Sequence, residues 1–330
     1  MTVLITGGAG YIGSHAVLAF RDAGYDVVVL DDLSTGYRPA VPSDVPFVEG
    51  DAGDTTLLHD LLRRHRVSAV VHFAGSIVVP ESVANPLKYY RNNTDVSRSL
   101  IEASVAAGVE AFIFSSTAAV YGNPVVVPVP EEAPTSPVSP YGWSKLMTEQ
   151  ILTDTAKAHD MRFIALRYFN VAGADPQGRA GQCTPNATHL LKIASQVAVG
   201  ARPEMSVFGE DYDTPDGTCV RDYIHVTDLA LAHVRALEHL RRGGESLVLN
   251  CGYGHGYSVR EVLRAVEDVT GEKLRVRSAP RRAGDPVSLV ADARQIRTRL
   301  DWQPSYDDLG VIVKTALDWE RELSKRPAAS

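Results

Sequence analysis

The chain alternates short, continuously apolar runs with longer segments whose apolar residues recur at helical spacing. Strands that are apolar throughout are buried on both faces, as is typical of a parallel sheet covered by helices. Such strands are predicted at Val3–Thr6, Val27–Leu30, Pro46–Val48, Ala69–Phe73, Ala111–Ser115 and Arg162–Arg167. The predicted helices between them are Tyr11–Ala23, Asp54–His65, Pro86–Ala107 and Tyr141–His159. This order predicts an α/β fold with a doubly wound parallel sheet through about residue 170.

The second half of the chain has a less regular pattern, without an internal repeat or a flexible linker. Helices are predicted at Ala187–Gly200, Asp228–Arg241 and Ser258–Thr270, and a further strand at Ser246–Cys251. Segments rich in glycine, proline and polar residues predict loops at Gly173–Pro185 and Asp211–Thr218. The change of pattern near residue 171 predicts a second, smaller α/β lobe packed closely on the first.

Composition is that of a globular protein and excludes several classes. Apolar residues make up 45% and charged residues 22% of the 330 residues, and the formal net charge is −7. An acidic protein has no general attraction to nucleic acid or anionic membranes, and no apolar stretch approaches the ~18–20 residues of a membrane helix. Cys183, Cys219 and Cys251 form no CxxC pair, so we expect neither a metal site nor a disulfide framework. With no secretory leader in view, we expect a cytoplasmic protein.

A glycine-rich turn, Gly7-Gly8-Ala9-Gly10-Tyr11-Ile12-Gly13, joins the first predicted strand to the first predicted helix. Gly7 suits the tight turn, Gly10 lets the backbone approach a pyrophosphate, and Gly13 allows the helix to pack closely on the strand. The helix N-terminus adds oriented N–H groups for phosphates. A glycine cluster is often only a turn, but between a strand and a helix it predicts dinucleotide binding. The GxxGxxG spacing is typical of the extended short-chain dehydrogenases.

Acidic and small residues end the next three predicted strands. Asp31 is placed to accept hydrogen bonds from an adenosine ribose, and its charge would repel a 2′-phosphate, which favours NAD over NADP. It could instead only initiate the turn Asp31-Asp32-Leu33-Ser34. Asp51 could contact the adenine amino group, and the small residues of Phe73-Ala74-Gly75 would leave room for the cofactor.

Tyr141 and Lys145 lie four residues apart on one predicted helix and therefore share a face. The lysine ammonium and a positively charged nicotinamide would favour the phenolate and lower the pKa of Tyr141. The tyrosine could then act as a general base, taking a proton from a hydroxyl while the adjoining carbon loses hydride. A YxxxK pattern also occurs by chance on ordinary amphipathic helices. The preceding strand end, Phe114-Ser115-Ser116-Thr117, favours the catalytic interpretation, with Thr117 and Tyr141 sharing the substrate oxygen.

These elements are those of an extended short-chain dehydrogenase/reductase, and within that group the chain resembles the UDP-glucose (UDP-galactose) 4-epimerases. The similarity extends over nearly the whole chain and includes TGGAGYIGSH at 6–15, FSSTAAVYG at 114–122, SPYGWSKLMTEQIL at 139–152 and FGEDYDTPDGTCVRDYIHVTDLA at 208–230. The resemblance implies an NAD-binding Rossmann domain formed by residues 1–170 and about 222–255. It implies a nucleotide-sugar-binding lobe formed by about 171–221 and 256–330.

Carried over residue by residue, the resemblance implies three groups of site residues. The catalytic group is Thr117, Tyr141 and Lys145. The expected NAD contacts are Gly7, Gly10, Tyr11, Ile12, Asp31, Asp51, Ala52, Phe73, Ala74, Gly75, Asn92, Lys145 and Phe169. The expected contacts to UDP-glucose or UDP-galactose are Thr117, Tyr141, Asn170, His189, Leu190, Arg221, Arg282, Asp285 and Leu289.

Three positions depart from the pattern of the resembling family. Thr117 stands where many members have serine and keeps the hydroxyl, whereas Ile77 stands where many place a lysine that reaches the cofactor. The sequence at 186–190 also differs, which leaves the uracil and phosphate contacts open.

A diphosphate substrate would need local cations on an acidic protein. Arg221 and Arg282 could supply bidentate contacts, and Asp285 could accept from the uridine ribose. The alternative is that the arginines of this region form only a solvated basic face, namely Arg275, Arg277, Arg281 and Arg282.

The resemblance implies an epimerase in which sugar C4 gives hydride to bound NAD, the 4-keto sugar turns over, and hydride returns to its other face. A nucleotide-sugar 4,6-dehydratase would follow the strand-end threonine with an Asp-Glu pair, whereas Ala118-Ala119 follow it here, which disfavours elimination. A non-catalytic NAD sensor would usually lack the tyrosine–lysine pair. A net dehydrogenase stays open and would need rapid exchange of the cofactor.

Assembly and substrate breadth are less constrained by the sequence. The helices predicted at 86–107 and 141–159 carry apolar residues on more than one face, and relatives pair through two such helices, so we expect a homodimer. In the resembling family the position of Leu289 lines the sugar pocket. Its bulk predicts efficient turnover of UDP-glucose and UDP-galactose and poor turnover of UDP-N-acetylglucosamine. Uronic acid and pentose sugars stay open as substrates.

Overall fold

The computed structural model describes residues 1–184, 187–282 and 284–325. The strands are β1 Thr2–Thr6, β2 Asp26–Asp31, β3 Phe47–Glu49, β4 Val67–His72, β5 Ala111–Thr117, β6 Arg162–Tyr168, β7 Asn170–Ala172, β8 Met205–Phe208, β9 Val220–Arg221, β10 Tyr223–His225, β11 Leu247–Cys251, β12 Tyr257–Ser258, β13 Val276–Ala279 and β14 Ser288–Leu289. The α-helices are α1 Tyr11–Asp22, α2 Thr55–Arg64, α3 Val79–Ala84, α4 Pro86–Tyr89, α5 Val96–Ala106, α6 Pro140–Ala158, α7 Leu190–Ala198, α8 Val226–Arg241, α9 Val259–Thr270, α10 Arg294–Leu300 and α11 Leu309–Lys325.

Seven parallel strands form the central sheet in the order β3-β2-β1-β4-β5-β6-β11. The predicted α/β class with a doubly wound parallel sheet is therefore confirmed. The six strands predicted in the first half are all present, with ends that differ by no more than two residues. The strand order reverses between β1 and β4, and ligands of such sheets bind in the crevice outside the carboxyl ends of the strands at that point.

Two apolar cores cover the two faces of the sheet. On one face α1 and α8 bury Val17, Phe20 and Leu229 against the strands. On the other face α2, α5 and α6 contribute Leu58, Leu100 and Leu152. Within the described ranges, no helix combines the length and the apolar character needed to cross a membrane.

Polar residues determine where several helices begin. The Asp54 carboxylate accepts from the backbone N–H groups of Thr56 and Leu57 at the start of α2. The Ser139 hydroxyl accepts from the Gly142 N–H at 3.3 Å at the start of α6. Such caps satisfy N–H groups that have no partner within the helix. The cap of α6 therefore sets the rotation of the helix that carries Tyr141 and Lys145.

The helix predicted at Pro86–Ala107 is interrupted. It divides into α4, a π turn at Tyr90–Asp95, and α5. A π turn inserts a residue into the helical spacing, and such turns are frequent at functional sites. Here the turn carries Asn92, one of the expected cofactor contacts.

The smaller elements of the second half are the part that the sequence pattern does not predict. β7 pairs with β10, β8 with β13, and β9 with both β12 and β14. Most of these strands are two to four residues long, too short to show a periodic pattern. The predicted strand at Ser246–Cys251 is β11 and extends the central sheet beside β6. Helix α7 begins at Leu190 rather than Ala187, and Pro185 of the predicted loop lies outside the described residues.

Candidate active site

The glycine turn packs tightly against the end of β4. Gly7 has a φ of +69°, and a Cβ there would lie 2.6 Å from the Ala74 backbone nitrogen. A Cβ on Gly13 would lie 2.0 Å from the Gly7 carbonyl oxygen, so α1 can approach the turn this closely only with glycine. Within the described residues no side chain forms a hydrogen bond that caps α1 at Gly10, so the first N–H groups of the helix have no side-chain acceptor there. This cradle fits a dinucleotide phosphate.

Asp31 at the end of β2 makes two local hydrogen bonds. One carboxylate oxygen accepts from the Ala9 N–H at 2.8 Å and the other from the Leu33 N–H at 2.9 Å. The carboxylate is therefore part of the turn, as one interpretation from the sequence expects, and it also joins the turn to the glycine motif; the ribose contact stays a prediction. Burial raises the pKa of Asp31 above its usual range, against the effect of these two hydrogen bonds.

Other expected cofactor residues lie at neighbouring strand ends. Asp51 is exposed and accepts from the Gly53 N–H at 2.8 Å, while Ala52 is buried. Phe73, Ala74 and Gly75 follow β4, and a Cβ on Gly75 would lie 3.8 Å from Lys145 Nζ. Asn92 donates to the Ser76 hydroxyl at 3.1 Å. The structure thus brings Gly75 close to Lys145 and Asn92 to Ser76, the residue that follows Gly75.

The three expected catalytic residues meet where β5 ends. Thr117 is the last residue of β5, and its side chain forms a hydrogen bond with Tyr141 on α6. Lys145 is 2% exposed, donates from Nζ to the Ser115 carbonyl at 2.9 Å, and lies 5.0 Å above the centre of the Phe114 ring. A hydroxyl pair beside a buried cation is an arrangement suited to proton transfer.

Burial governs the protonation of this group. Burial raises the pKa of Tyr141, and the Thr117 hydrogen bond partly opposes the rise. Burial lowers the pKa of Lys145 to about 8. The expected lowering of the Tyr141 pKa, by Lys145 and a bound nicotinamide, is not produced by the protein's own groups, which raise this pKa. The physical reason is that desolvation disfavours the phenolate, and the lysine ammonium is bound to the Ser115 carbonyl rather than to the phenol.

A buried ion pair lies behind the catalytic residues and was not identified from the sequence. Glu149, one helical turn after Lys145, accepts from Arg167 Nε at 3.0 Å and from Arg167 Nη2 at 2.6 Å. The Ser116 hydroxyl donates to the same carboxylate. Arg167 Nη1 also donates to the Tyr121 hydroxyl at 3.0 Å. The sequence does hold one signal for Glu149. It follows Tyr141 and Lys145 at the spacing i, i+4 and i+8, which places all three on one helix face.

The arginines of the second lobe fall into two groups. Arg277 and Arg281 form exposed ion pairs with Glu204 and Asp211, as the interpretation of a solvated basic face expects. Arg221 on β9 is 8% exposed, and its Nη2 lies 4.0 Å from an Asp285 carboxylate oxygen.

Arg282 and Leu289 lie next to this pair. The guanidinium carbon of Arg282 lies 3.8 Å from the centre of the Phe208 ring. Leu289 is paired with Arg221 between β14 and β9. The structure therefore brings Arg221, Asp285 and Leu289 together, with Arg282 beside them.

The remaining expected contacts line the junction between the lobes. Phe169 is buried with Ala118, the residue after Thr117, and the Asn170 N–H donates to the Asp222 carbonyl at 3.0 Å. His189 precedes α7, whose first residue is Leu190; its ring Nδ1 lies 2.8 Å from Gln182 Nε2, and burial lowers its pKa. Asn186 lies outside the described residues.

No metal site is expected from the sequence. In the described part of the chain, no group of three or more histidine, cysteine, aspartate or glutamate side chains could hold a metal ion.

Comparison with known proteins gives consistent matches over the whole chain. The NAD dependent epimerase/dehydratase family matches residues 3–252. A UDP-glucose 4-epimerase of Azospirillum brasilense is 61% identical over 323 residues, 98% of this chain and 93% of that protein. The crystal structure of UDP-glucose 4-epimerase from Brucella ovis in complex with NAD has 45% identity and a TM-score of 0.93, covering 96% of this chain and 97% of that chain. The UDP-Glc/GlcNAc 4-epimerase of Campylobacter jejuni has 49% identity and a TM-score of 0.85, covering 97% and 99%.

The burial of Asp31 generates a prediction about pH. Ribose hydroxyls would donate to the ionised carboxylate, so protonation of Asp31 removes an acceptor. Because burial raises the pKa of Asp31 in the free protein, NAD affinity should fall as the pH is lowered from about 7.5 to about 5. Asp31→Asn should weaken binding ~10- to 100-fold at neutral pH and flatten this dependence. Titration calorimetry with NAD across the pH range measures both effects.

Asp32→Asn is the matched control, because Asp32 is exposed and its carboxylate accepts from the Ser34 N–H in the same turn. Affinity at neutral pH should stay at the wild-type value and should still fall as the pH is lowered, but the fall should move to slightly lower pH because the Asp32 charge contributes to the raised pKa of Asp31. Equal behaviour of the two variants would contradict the role of Asp31.

Proposed function

The chain belongs to the NAD-dependent epimerase/dehydratase family, and from that premise we propose that it interconverts UDP-glucose and UDP-galactose by reversible oxidation at C4. The family match together with relatives named as 4-epimerases makes it an NAD-dependent epimerase. The observation that carries the specific proposal is the meeting of Thr117, Tyr141 and Lys145 beside Gly75. The names of the relatives at 61% and 45% identity support the same substrate class.

In this proposal Tyr141 takes the proton of the sugar 4-hydroxyl, and Thr117 holds the same oxygen through its hydroxyl. NAD, when bound, supplies the hydride acceptor and donor for C4. Tyr141 returns its proton to the oxygen after the 4-keto sugar has presented its other face. Proton and hydride both return to the sugar, so each turnover regenerates the cofactor and needs no external reductant.

Lys145 has an electrostatic role in this proposal. Burial raises the pKa of Tyr141 in the protein alone, so a further positive charge is needed to stabilise the phenolate. The oxidised nicotinamide and the Lys145 ammonium together supply that charge on the side of Gly75, which lies close to Lys145 Nζ. This coupling limits formation of the base to the loaded enzyme.

We assign the nucleotide part of the substrate to the second lobe. Arg221 and Arg282 would bind the diphosphate, with Asp285 accepting from the uridine ribose. The proposed division is residues 1–170 with about 222–255 for NAD, and about 171–221 with 256–330 for the nucleotide sugar. We also propose a cytoplasmic location for the protein.

The chemistry is tested by giving the purified protein UDP-galactose without added reductant. UDP-glucose should form, and NADH should not accumulate. Tyr141→Phe removes the base, and turnover should fall at least ~10²-fold with NAD still bound. The control is Tyr25→Phe, since Tyr25 precedes β2 at the amino edge of the sheet, where its hydroxyl accepts from Arg241. Near-normal turnover by Tyr141→Phe would overturn the assignment.

Substrate breadth is proposed to depend on Leu289. This half-buried side chain packs against a cluster that contains Ala118 and Phe169, at the end of β5 and β6. It offers no hydrogen bond to an acetamido group, so UDP-N-acetylglucosamine should have a much lower kcat/KM than UDP-glucose. Leu289→Ser should raise the ratio of kcat/KM for UDP-N-acetylglucosamine to kcat/KM for UDP-glucose ~10-fold or more. Val287→Ser, at an exposed position nearby, should leave this ratio unchanged.

The measurement is kcat/KM for matched concentrations of UDP-glucose, UDP-N-acetylglucosamine, a UDP-uronic acid and a UDP-pentose. The Campylobacter relative bears the name of a UDP-Glc/GlcNAc 4-epimerase. Measuring both sugars therefore decides whether this chain shares that breadth. Comparable values for the plain and acetylated sugars in the wild type would contradict the argument from Leu289.

We propose a homodimer formed through α4, α5 and α6. Exposed apolar side chains lie on α4 and α6, with Leu87 78% exposed and Trp143 and Met147 each 41% exposed. Trp143 and Met147 are four residues apart and share one face of α6. Light scattering at micromolar concentration should give a dimer, and Met147→Lys should shift it toward monomer. Val125→Lys, at a loop position that is 99% exposed, is the control; a monomeric wild type would exclude the proposal.

A further inference from the structure

The backbone on either side of Ile77 is bound by two buried side chains. Asn93 accepts from the Ser76 N–H at 2.7 Å and donates to the Ser76 carbonyl at 3.0 Å. The Tyr89 hydroxyl accepts from the Val78 N–H at 2.9 Å and donates toward the Val78 carbonyl at 2.7 Å, with Glu81 as a second acceptor at 2.9 Å. We call residues 76–78 the Ile77 segment. Its two flanking residues are thus fixed by hydrogen bonds from side chains, not from a strand or helix ladder.

Both side chains are rigidly held. Tyr89 ends α4 and Asn93 lies in the π turn that follows it, and their exposed fractions are 0% and 1%. Asn93 Nδ2 also donates to the Ser144 hydroxyl at 3.0 Å, and that hydroxyl donates to the Tyr141 carbonyl at 2.7 Å. The polar groups that bind the Ile77 segment are therefore joined to the helix that carries Tyr141 and Lys145.

The Ile77 segment begins close to Lys145. It follows Gly75, whose added Cβ would lie 2.8 Å from Asn93 Oδ1 and 3.8 Å from Lys145 Nζ. The Tyr89 ring lies edge-on to the Tyr141 ring, with 6.4 Å between centres. Ile77 itself is 46% exposed and has no hydrogen-bonding side-chain group. The position of the segment therefore depends on its flanking backbone.

We propose that Tyr89 and Asn93 are positioning residues that hold the Ile77 segment against bound NAD and thereby slow its release. Unsatisfied backbone groups would otherwise favour an open, hydrated segment. The inference rests on the proposed cofactor contact at Gly75. It gives the π turn a function, because that turn places Asn93 where its amide meets both polar groups of Ser76.

Tyr89→Phe removes both hydrogen bonds to Val78 and keeps the ring beside Tyr141. In the holoenzyme, hydrogen exchange at the Val78 amide should accelerate, and the release rate of NAD, chased with excess labelled NAD, should rise ~10-fold. The KM for UDP-galactose should stay within about twofold, since this change leaves the second lobe untouched. Tyr90→Phe is the matched control, because the described residues give the Tyr90 hydroxyl no hydrogen-bond partner, and it should leave exchange and release unchanged.

Asn93→Asp provides a second, independent variant that stays informative if Tyr89→Phe folds poorly. It keeps an acceptor for the Ser76 N–H but loses both donations from Nδ2, so NAD release should quicken while the Ser76 amide stays protected. Unchanged exchange at Val78 in Tyr89→Phe would overturn the hydrogen-bonded arrangement. Accelerated exchange with wild-type NAD release would overturn the positioning role. Failure of the wild type to epimerise UDP-galactose would instead contradict the proposed function alone.

Discussion

The pairing of the Glu149 carboxylate with the Arg167 guanidinium is the interaction on which the geometry of the site depends. Glu149 lies on α6 and Arg167 lies on β6. The Ser116 hydroxyl, on β5, donates to the Glu149 carboxylate. Both charged side chains are nearly inaccessible to water. Removing one partner would leave an uncompensated buried charge, which costs about 3–5 kcal/mol. The pair therefore locks the rotation and height of the catalytic helix relative to Thr117.

The same dry environment determines which groups at this edge of the sheet carry charge. His72 is held between the Thr6 and Ser97 hydroxyls at 2.7 and 2.8 Å, and burial together with the charge of Lys145 lowers its pKa to about 3. A neutral imidazole can donate at one nitrogen and accept at the other, as these two partners require. Burial also moves Tyr141 away from the phenolate and Lys145 away from the ammonium. In the protein alone Tyr141 is therefore kept as the neutral phenol, whereas Lys145, with a pKa of about 8, stays largely protonated near neutral pH.

Local chemistry explains what the sequence could predict. The central strands are recognisable because they are apolar throughout, and the glycine turn because each glycine meets a specific steric demand, such as the 2.0 Å approach at Gly13. Tyr141 and Lys145 are four residues apart, so their shared face follows from helix geometry. Glu149 and Arg167 meet only after α6 packs on β6, and Arg221 meets Asp285 from 64 positions away in the chain. The π turn has no signal of its own in a pattern of apolar residues.

The arginines of the second half of the chain differ in how far carboxylates and water offset their charge. Exposed cations such as Arg277 and Arg281 are largely neutralised by adjacent carboxylates and screened by water. Arg221 is instead buried, donates to its neighbouring Val220 carbonyl at 2.8 Å, and keeps its carboxylate partner at 4.0 Å. That separation is longer than a hydrogen bond, so the guanidinium retains N–H donors for a ligand. The nearby Asp285 carboxylate still limits the free-energy cost of burying the arginine charge. Net charge therefore says little about this site, because the position and pairing of one buried arginine determine the local field.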